Sequence, residues 1–345
     1  MMTCRSCEAK IEDVGLDCPV CGASPVKSGM RLKAEPGEPA YRGARGEPAR
    51  TERTTHRAAM VQRYELGPAR RPQCAALHDD ALVVVLSIDR KDRVAIDRFA
   101  LDGRSLGGLG QLAMGDSPDA IGGPAAIALD GAGRVHVLDS AGKVVKLGGE
   151  GAVVASFEAG LSYPRDFEVA RDGAMVIADT GNHRVVLCDP DGHTVAAIGL
   201  ELDDSDDRVT ATPGTAPGEL DTPSGVAVDP RGTIYVADTN NHRIQAFGRD
   251  GGFLRELGAE GDAPGRLRFP TAVRVGPGGE LFVLDRHGRR IQKLAPDGAL
   301  IYGIPVGATP TDVAAIAGTI AVGPDERIYL SVPADNAVVC LRVVE

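Results

Sequence analysis

A proline–aspartate spacing that recurs along most of the chain constrains this sequence most. Five prolines each precede a short apolar stretch, and an aspartate follows fifteen residues after each of the last four and seventeen after the first. Another 11 to 13 residues on stands an acid–glycine pair, which tight hairpins favour because glycine accepts a positive φ. Each unit therefore predicts four short strands. The prolines are Pro72, Pro124, Pro164, Pro223 and Pro270, and the aspartates are Asp89, Asp139, Asp179, Asp238 and Asp285.

The unit lengths of 40 to 59 residues are typical of β-propeller blades. A sixth unit, IAVGPDERIYLSV from Ile320, keeps the register without the motif and ends after its third strand. The segment AMVQRYELGP from Ala59 resembles a fourth strand, so we expect residues 60–66 to pair with AVVCLRVV and close the ring. Closure removes two exposed sheet edges. The sequence predicts an all-β, six-bladed propeller over residues 60–345.

The composition agrees with many short strands and disfavours two kinds of ligand recognition. The chain has 44 Gly and 23 Pro, no Trp and 4% aromatic residues, so recognition of ligands by aromatic faces is disfavoured. It carries 38 Lys and Arg against 48 Asp and Glu, a net charge of -10. Because nucleic-acid affinity rests on cationic side chains that displace counterions, this balance disfavours general binding to DNA or RNA.

Two units, ADTGNHRVVL at 178–187 and ADTNNHRIQAF at 237–247, resemble NHL repeats. The resemblance implies a six-bladed propeller and leaves function open. We expect each repeat Asp to accept turn N–H groups, the following Asn to adopt the left-handed conformation, and the repeat arginines to bridge neighbouring blades. His183 and His242 are interpreted as repeat residues, because equivalent positions on successive blades lie too far apart for one metal ion. The arginines are Arg184, Arg243 and Arg290.

Four cysteines near the amino terminus form the clearest chemical motif. Cys4 and Cys7 make one C-x2-C pair, and Cys18 and Cys21 make another after ten intervening residues. Four thiolates in paired knuckles suit tetrahedral Zn2+, and a segment this short needs a metal to fold. The arrangement resembles a minimal zinc ribbon over residues 1–25. It implies one structural Zn2+ per chain and, because all four ligands come from the protein, no open position for a catalytic water.

Two alternatives to zinc remain for these cysteines. The CPVCG stretch is similar to one iron-binding knuckle of rubredoxin, although ten intervening residues are too few for that domain. A redox dithiol would need only one pair.

Residues 26–59 are rich in Pro, Gly, Lys and Arg and poor in apolar clusters, so they predict a flexible basic linker. The longest apolar runs are far shorter than a membrane span, and the first residues lack the apolar stretch of a secretory signal. Seven cysteines in this uneven distribution do not form a disulfide framework. We therefore expect a cytoplasmic protein without a membrane span.

The inner-strand positions of the propeller decide whether a channel-centred active site is expected. Some propellers related to NHL proteins hold a metal there with His or acidic residues, but the positions after each repeat proline carry no histidine in this sequence. The charged inner-strand residues are Arg165, Asp166, Glu168 and Arg274. We interpret them as acids and bases that neutralise one another rather than as a ligand site. The acidic stretch at 201–207 is interpreted as a solvated loop rather than a calcium site.

These observations lead to a non-enzymatic interaction protein, in which a rigid propeller platform is tethered to a zinc-ribbon docking module and binds protein partners. The alternative is a lyase or hydrolase with its site at the central channel. Histidine or clustered carboxylates at the inner strands would favour that alternative, and they are largely absent from the sequence.

Overall fold

The computed structural model describes residues 2–3, 10–11, 57–66, 70–78, 81–88, 93–115, 117, 120–199, 212–306 and 319–344. The chain divides into two compact units, Met1–Thr54 and Thr55–Glu345. In the first unit, β1 (Met2–Thr3) pairs antiparallel with β2 (Lys10–Ile11). Cys4, Cys7, Cys18 and Cys21 lie outside the described residues, as do most of the predicted linker and the acidic stretch 201–207.

The second unit is built from six antiparallel sheets, which we number as blades in chain order. Blade 1 contains β4 (Arg70–His78), β5 (Ala81–Ile88), β6 (Arg93–Ala100), β7 (Ser105–Met114) and a short parallel addition, β8 (Ala120–Ile121). Blade 2 contains β9 (Pro124–Leu129), β10 (Val135–Asp139), β11 (Lys143–Leu147) and β12 (Val153–Glu158). Blade 3 contains β13 (Asp166–Val169), β14 (Met175–Asp179), β15 (Arg184–Cys188) and β16 (Thr194–Ile198).

The remaining three blades have the same four-strand order. Blade 4 contains β17 (Pro223–Val228), β18 (Ile234–Asp238), β19 (Arg243–Phe247) and β20 (Phe253–Leu257). Blade 5 contains β21 (Pro270–Val275), β22 (Leu281–Asp285), β23 (Arg290–Leu294) and β24 (Leu300–Pro305). Blade 6 contains β25 (Ile320–Val322), β26 (Ile328–Val332), β27 (Ala337–Val344) and, as its outer strand, β3 (Arg57–Glu65). Among the described residues, single-turn 3-10 helices lie at Thr180–Asn182 and Pro333–Asp335. In the part of the chain that the structure describes, no helix is long and apolar enough to span a membrane.

Six apolar clusters hold the blades together, and each cluster combines residues of two neighbouring blades. For example, Tyr235 of blade 4 and Val283 of blade 5 share one cluster. The cluster that joins blade 6 to blade 1 contains Tyr329 of blade 6 and Phe99 of blade 1. Every blade therefore packs against both neighbours, so the chain is an all-β propeller of six blades.

The outer strand of blade 6 comes from the amino-terminal side of the propeller. β3 pairs antiparallel with β27 from Glu65 opposite Ala337 to Arg57 opposite Val344. The sequence placed the start of the propeller, and of this strand, at residue 60, which is three residues too late. The longer β27 accounts for the difference: a bulge between Cys340 and Leu341 preserves the pairing, so the ladder extends to the last residues of β27.

Tyr64 of this strand packs into the seam between the last and first blades. Its ring is 1% exposed, and its centroid lies 5.9 Å from that of Phe99 and 6.1 Å from that of Tyr329. Its hydroxyl donates to the Leu101 carbonyl at 2.9 Å. The strand therefore contributes both a hydrogen-bonded edge and a buried side chain to ring closure.

Candidate functional site

The repeat aspartates hold the loops that lead into their blades. In blades 2 to 5 the aspartate ends the second strand, is buried, and accepts an N–H from the loop seventeen residues earlier. In blade 4, Asp238 accepts from the Asp221 N–H at 2.7 Å and from Arg243 Nε at 2.8 Å. Blades 3 and 5 repeat the arginine contact at 2.6 and 2.8 Å. The aspartate does accept backbone N–H groups. The predicted donors in the turn after the second strand are found in blades 2 and 5, whereas in blades 3 and 4 the donor lies in the loop before the first strand.

The expected roles of the repeat Asn and Arg were wrong. The left-handed residues are His183 and His242, with φ of 51° and 56°, while the Asn241 side chain donates to Asp238 at 2.9 Å. The amide is thus needed to satisfy a buried carboxylate. Arg243 bonds carbonyls of the connection that enters its own blade, at 3.0 and 3.1 Å, rather than a strand of the next blade. The arginines therefore anchor connections.

The histidines link neighbouring blades instead. His183 Nδ1 in blade 3 accepts the backbone N–H of Thr222, just before the first strand of blade 4, at 3.1 Å. His242 Nδ1 accepts the N–H of Phe269, just before blade 5, at the same distance. The expected structural role of these histidines thus has a specific geometry.

The charged inner-strand residues form one connected group across blades 3, 4 and 5. Arg274 of β21 makes two hydrogen bonds to Asp166 of β13, at 2.7 and 2.8 Å. Arg274 also donates to the Val226 carbonyl of β17 at 3.1 Å and to Thr319 Oγ1 at 2.8 Å. Paired carboxylate and guanidinium groups of this geometry neutralise each other. The expected neutralisation is confirmed for this pair.

The same group covers the inner edge of blade 4. Asp166 Oδ2 accepts the Val226 N–H, and Glu168 Oε2 accepts the Val228 N–H, both at 3.1 Å. An innermost strand presents unpaired N–H and C=O groups toward the channel, which need partners when buried. Here the side chains of the adjoining blades supply them.

Two members of the predicted cluster differ from Asp166 and Arg274. Arg165 lies just before β13 and is exposed, so it does not belong to the buried group. Glu168 is half-buried, and desolvation raises the pKa of its carboxyl to about 7, against the opposing effects of the Arg274 charge and the Val228 N–H.

A further ligand-type group was missed by the sequence analysis, although its Asp-Pro-Asp-Gly-His stretch could have indicated it. Asp189, Asp191 and His193 lie close together in the turn between β15 and β16. Asp189 Oδ1 accepts the N–H groups of Asp191 and His193 at 3.0 and 2.9 Å, and Oδ2 contacts His193 Nδ1 at 3.0 Å. These hydrogen bonds stabilise an exposed turn, and they explain why the three side chains lie close together.

Comparison with known proteins relates the motif region to a repeat family. The NHL repeat matches residues 220–247, which span the end of the connection and the first three strands of blade 4. The chain is a six-bladed propeller with an NHL repeat in blade 4. The repeat Asp, His and Arg described above for blade 4 lie within the matched segment.

Curated relatives share only a short stretch with this propeller. B-box type zinc finger protein ncl-1 of Caenorhabditis elegans is 58% identical over 40 residues, and Protein brain tumor of Drosophila melanogaster is 51% identical over 45 residues. The matches cover 12% and 13% of this chain and 5% and 4% of those proteins. The chain thus matches a small fraction of each relative's length.

Solved structures resemble the propeller over most of its length at low sequence identity. A streptogramin B lyase has a TM-score of 0.56 at 14% identity, covering 83% of this chain and 98% of its own. A gluconolactonase from Xanthomonas campestris has a TM-score of 0.55 at 20% identity, covering 84% and 90%. At these identities the likeness shows the fold alone.

Proposed function

We propose that this protein is a non-enzymatic interaction scaffold, in which the rigid propeller holds protein partners and the amino-terminal cysteine module docks within a larger assembly. The observation that carries the proposal is the bonding of the channel group. Asp166 and Arg274 neutralise each other and bond the edge of β17, and Glu168 bonds the same edge. Groups engaged in holding blades together serve as structural elements rather than as an acid–base pair for a substrate.

The face that carries the blade-to-blade connections, which we call the connection face, is the better candidate for partner binding. It displays Tyr163, which is 77% exposed and has a positive φ of 47°. Arg165 is exposed two residues further along the chain. The positive φ recurs at Thr222 and Phe269, which also precede repeat prolines, so it belongs to the repeat. Exposed Tyr and Arg are enriched among the side chains that dominate protein–protein affinity.

For the amino-terminal module, one structural Zn2+ bound by Cys4, Cys7, Cys18 and Cys21 is part of the proposal. The support is their spacing, together with the pairing of β1 and β2, which precede and follow the first cysteine pair in the sequence. Four thiolates complete a tetrahedral zinc site. We also propose a cytoplasmic location, on the cysteine distribution described above.

The second candidate function is a lyase or hydrolase at the channel. Two observations favour it: the fold is shared with a streptogramin B lyase and a gluconolactonase, and burial raises the pKa of Glu168 to about 7, which suits a general acid or base. Its weakness is that Asp166 and Arg274 already satisfy each other.

The test compares the tagged full-length protein with its Glu168→Gln variant. We expect both to capture the same protein partners from cells that express the chain, and neither to turn over lactone or ester substrates. Turnover by the wild type that is lost in the variant, while the variant remains folded, would replace the scaffold by the channel enzyme.

A further inference from the structure

Blades 4 and 5 have the same backbone on the connection face, which allows their side chains to be compared position by position at an offset of 47 residues. The Gly218 N–H donates to Gln245 at 2.9 Å in blade 4, and the Gly265 N–H donates to Gln292 at 2.8 Å in blade 5. Each glutamine then donates 2.6 Å hydrogen bonds to the carbonyl of the residue after that glycine. Differences between the two blades at other positions are therefore not required by the fold.

Five positions around this shared frame differ in charge. They are acidic or uncharged in blade 4, and four of the five are arginine in blade 5, whereas the buried Asp and Arg of the repeat are retained. The replacements from blade 4 to blade 5 are Glu219 by Arg266, Asp221 by Arg268, Thr239 by Arg286, Asn240 by His287 and His242 by Arg289. Four arginines at these positions place a cationic surface on a chain whose net charge is -10.

The fold brings these basic residues together around Phe269. Backbone hydrogen bonds join the two loops that carry them: the Arg286 N–H donates to the Phe269 carbonyl at 3.3 Å, and the His287 N–H donates to the Arg268 carbonyl at 3.0 Å. The Phe269 ring lies between two imidazoles, 4.3 Å from the centroid of His287 and 4.3 Å from that of His242. We call the surface formed by Arg266, Arg268, Phe269, Arg286, His287 and Arg289 the basic patch.

The ion pairing at the patch differs from that of the buried repeat arginine. Arg268 contacts Asp262 at 3.2 Å, but the two side chains are 44% and 76% exposed. Exposed pairs of this kind contribute little, so an incoming carboxylate can replace Asp262 at small cost. Arg290, by contrast, is largely buried against Asp285 and belongs to the frame.

We propose that the basic patch binds a short acidic segment of a protein partner, in which Asp or Glu carboxylates pair with the exposed arginines and an apolar side chain covers Phe269. The inference rests on the scaffold function and names the chemistry of the partner. Guanidinium groups bind carboxylates in a bidentate fork, and a patch of opposite sign to the whole protein attracts anions locally.

An acidic peptide fits this surface better than a nucleic acid does. Carboxylates border the patch on its blade 4 side, where Glu260 is 68% exposed and Asp221 is half-buried. A polyanion that continues past the patch would meet these groups, whereas a short acidic segment ends within it.

The test measures the binding of a fluorescein-labelled octa-glutamate peptide to the full-length protein by anisotropy, with a labelled octa-uridylate RNA as the competing class. The test variant, Arg266→Glu with Arg268→Asp, introduces the residues that blade 4 tolerates at the same positions. The control variant, Arg171→Glu with Arg231→Asp, makes the same charge change at exposed turns on the opposite face. Melting temperatures establish that both variants are folded.

We expect the wild type and the control variant to bind the peptide alike, and the test variant to bind it at least about tenfold more weakly at low ionic strength. Absence of peptide binding, or equal binding by all three proteins, overturns the proposal. Tighter binding of the RNA that is lost in the test variant also overturns it, in favour of a nucleic-acid surface. If the test variant loses the peptide but still captures every cellular partner, the patch fails as a partner site while the scaffold function stands.

Discussion

Arg274 of blade 5 and Asp166 of blade 3 form a bidentate ion pair, although blade 4 lies between them in the ring. Both side chains also bond Val226 on the innermost strand of blade 4, Asp166 through the N–H and Arg274 through the carbonyl. The pair therefore ties three consecutive blades together.

Removal of one partner of this pair should be strongly destabilising. We expect Arg274→Leu to lower the free energy of unfolding by about 3–5 kcal/mol, because it leaves a buried carboxylate without its counter-charge. Urea denaturation measures the change. The matched control is Arg165→Leu, at an exposed arginine next to Asp166 in the sequence, and it should change stability by less than about 0.5 kcal/mol. Equal effects of the two substitutions would contradict the role assigned to the pair.

Glu168 should make stability depend on pH. Its pKa is raised from an ordinary value of 4.5 to about 7, so the folded state favours the protonated carboxyl. The resulting stabilisation is fully present below the ordinary pKa and is lost as pH rises through about 7, by on the order of 1–3 kcal/mol. Glu168→Gln should remove this fall, and the difference in unfolding free energy from the wild type, followed from acidic to alkaline pH, measures it. Glu158→Gln, at an exposed position, should leave the wild-type profile unchanged.

The closing strand should be necessary for a stable propeller. Removal of residues 1–55 keeps all of β3 and should leave a folded protein, whereas removal of residues 1–68 exposes the edge of β27 and should cause aggregation or a much lower melting temperature. Within the full chain, Tyr64→Ala should cost about 3–5 kcal/mol, as is typical for a buried aromatic side chain. Tyr163→Ala is the control, since Tyr163 is exposed. Identical melting of both truncations would contradict the closure.

The contribution of a single histidine link between blades to stability should be measurable. His183→Ala removes the acceptor of the Thr222 N–H, and we expect a loss of about 1–3 kcal/mol in unfolding free energy. His193→Ala, at an exposed histidine in a hairpin turn, should have little effect. Calorimetry of the two variants under the same conditions distinguishes a repeat contact from general loss of a histidine.

Zinc content tests the proposed amino-terminal module. We expect one Zn2+ per chain by elemental analysis of the freshly purified protein, and its loss in Cys4→Ser with Cys18→Ser, because each knuckle then lacks one thiolate. The melting transition of the propeller should be retained in this variant. Unchanged zinc in the double variant, or iron in its place, would refute the assignment.

The sequence by itself determined the number of blades and their order. That was possible because each blade repeats local chemistry: a proline before the first strand, an aspartate after the second, and an acid–glycine pair in the last hairpin. It also indicated that an amino-terminal segment would supply the missing outer strand. Such periodic signals can be recognised without knowledge of tertiary contacts, because the same residues recur at the same spacing in successive units.

Tertiary structure decided which partner each repeat residue takes. The spacing did not show that His183, and not Asn182, adopts the left-handed conformation, because that choice depends on the Asn side chain reaching the buried Asp179. The sequence grouped the charged inner-strand residues but could not show which of them pair: Asp166 meets Arg274, 108 residues away, without Arg165. Contacts of this kind depend on the curvature of the closed ring, which brings three inner strands together around one channel and leaves Arg165, beside Asp166 in the chain, exposed.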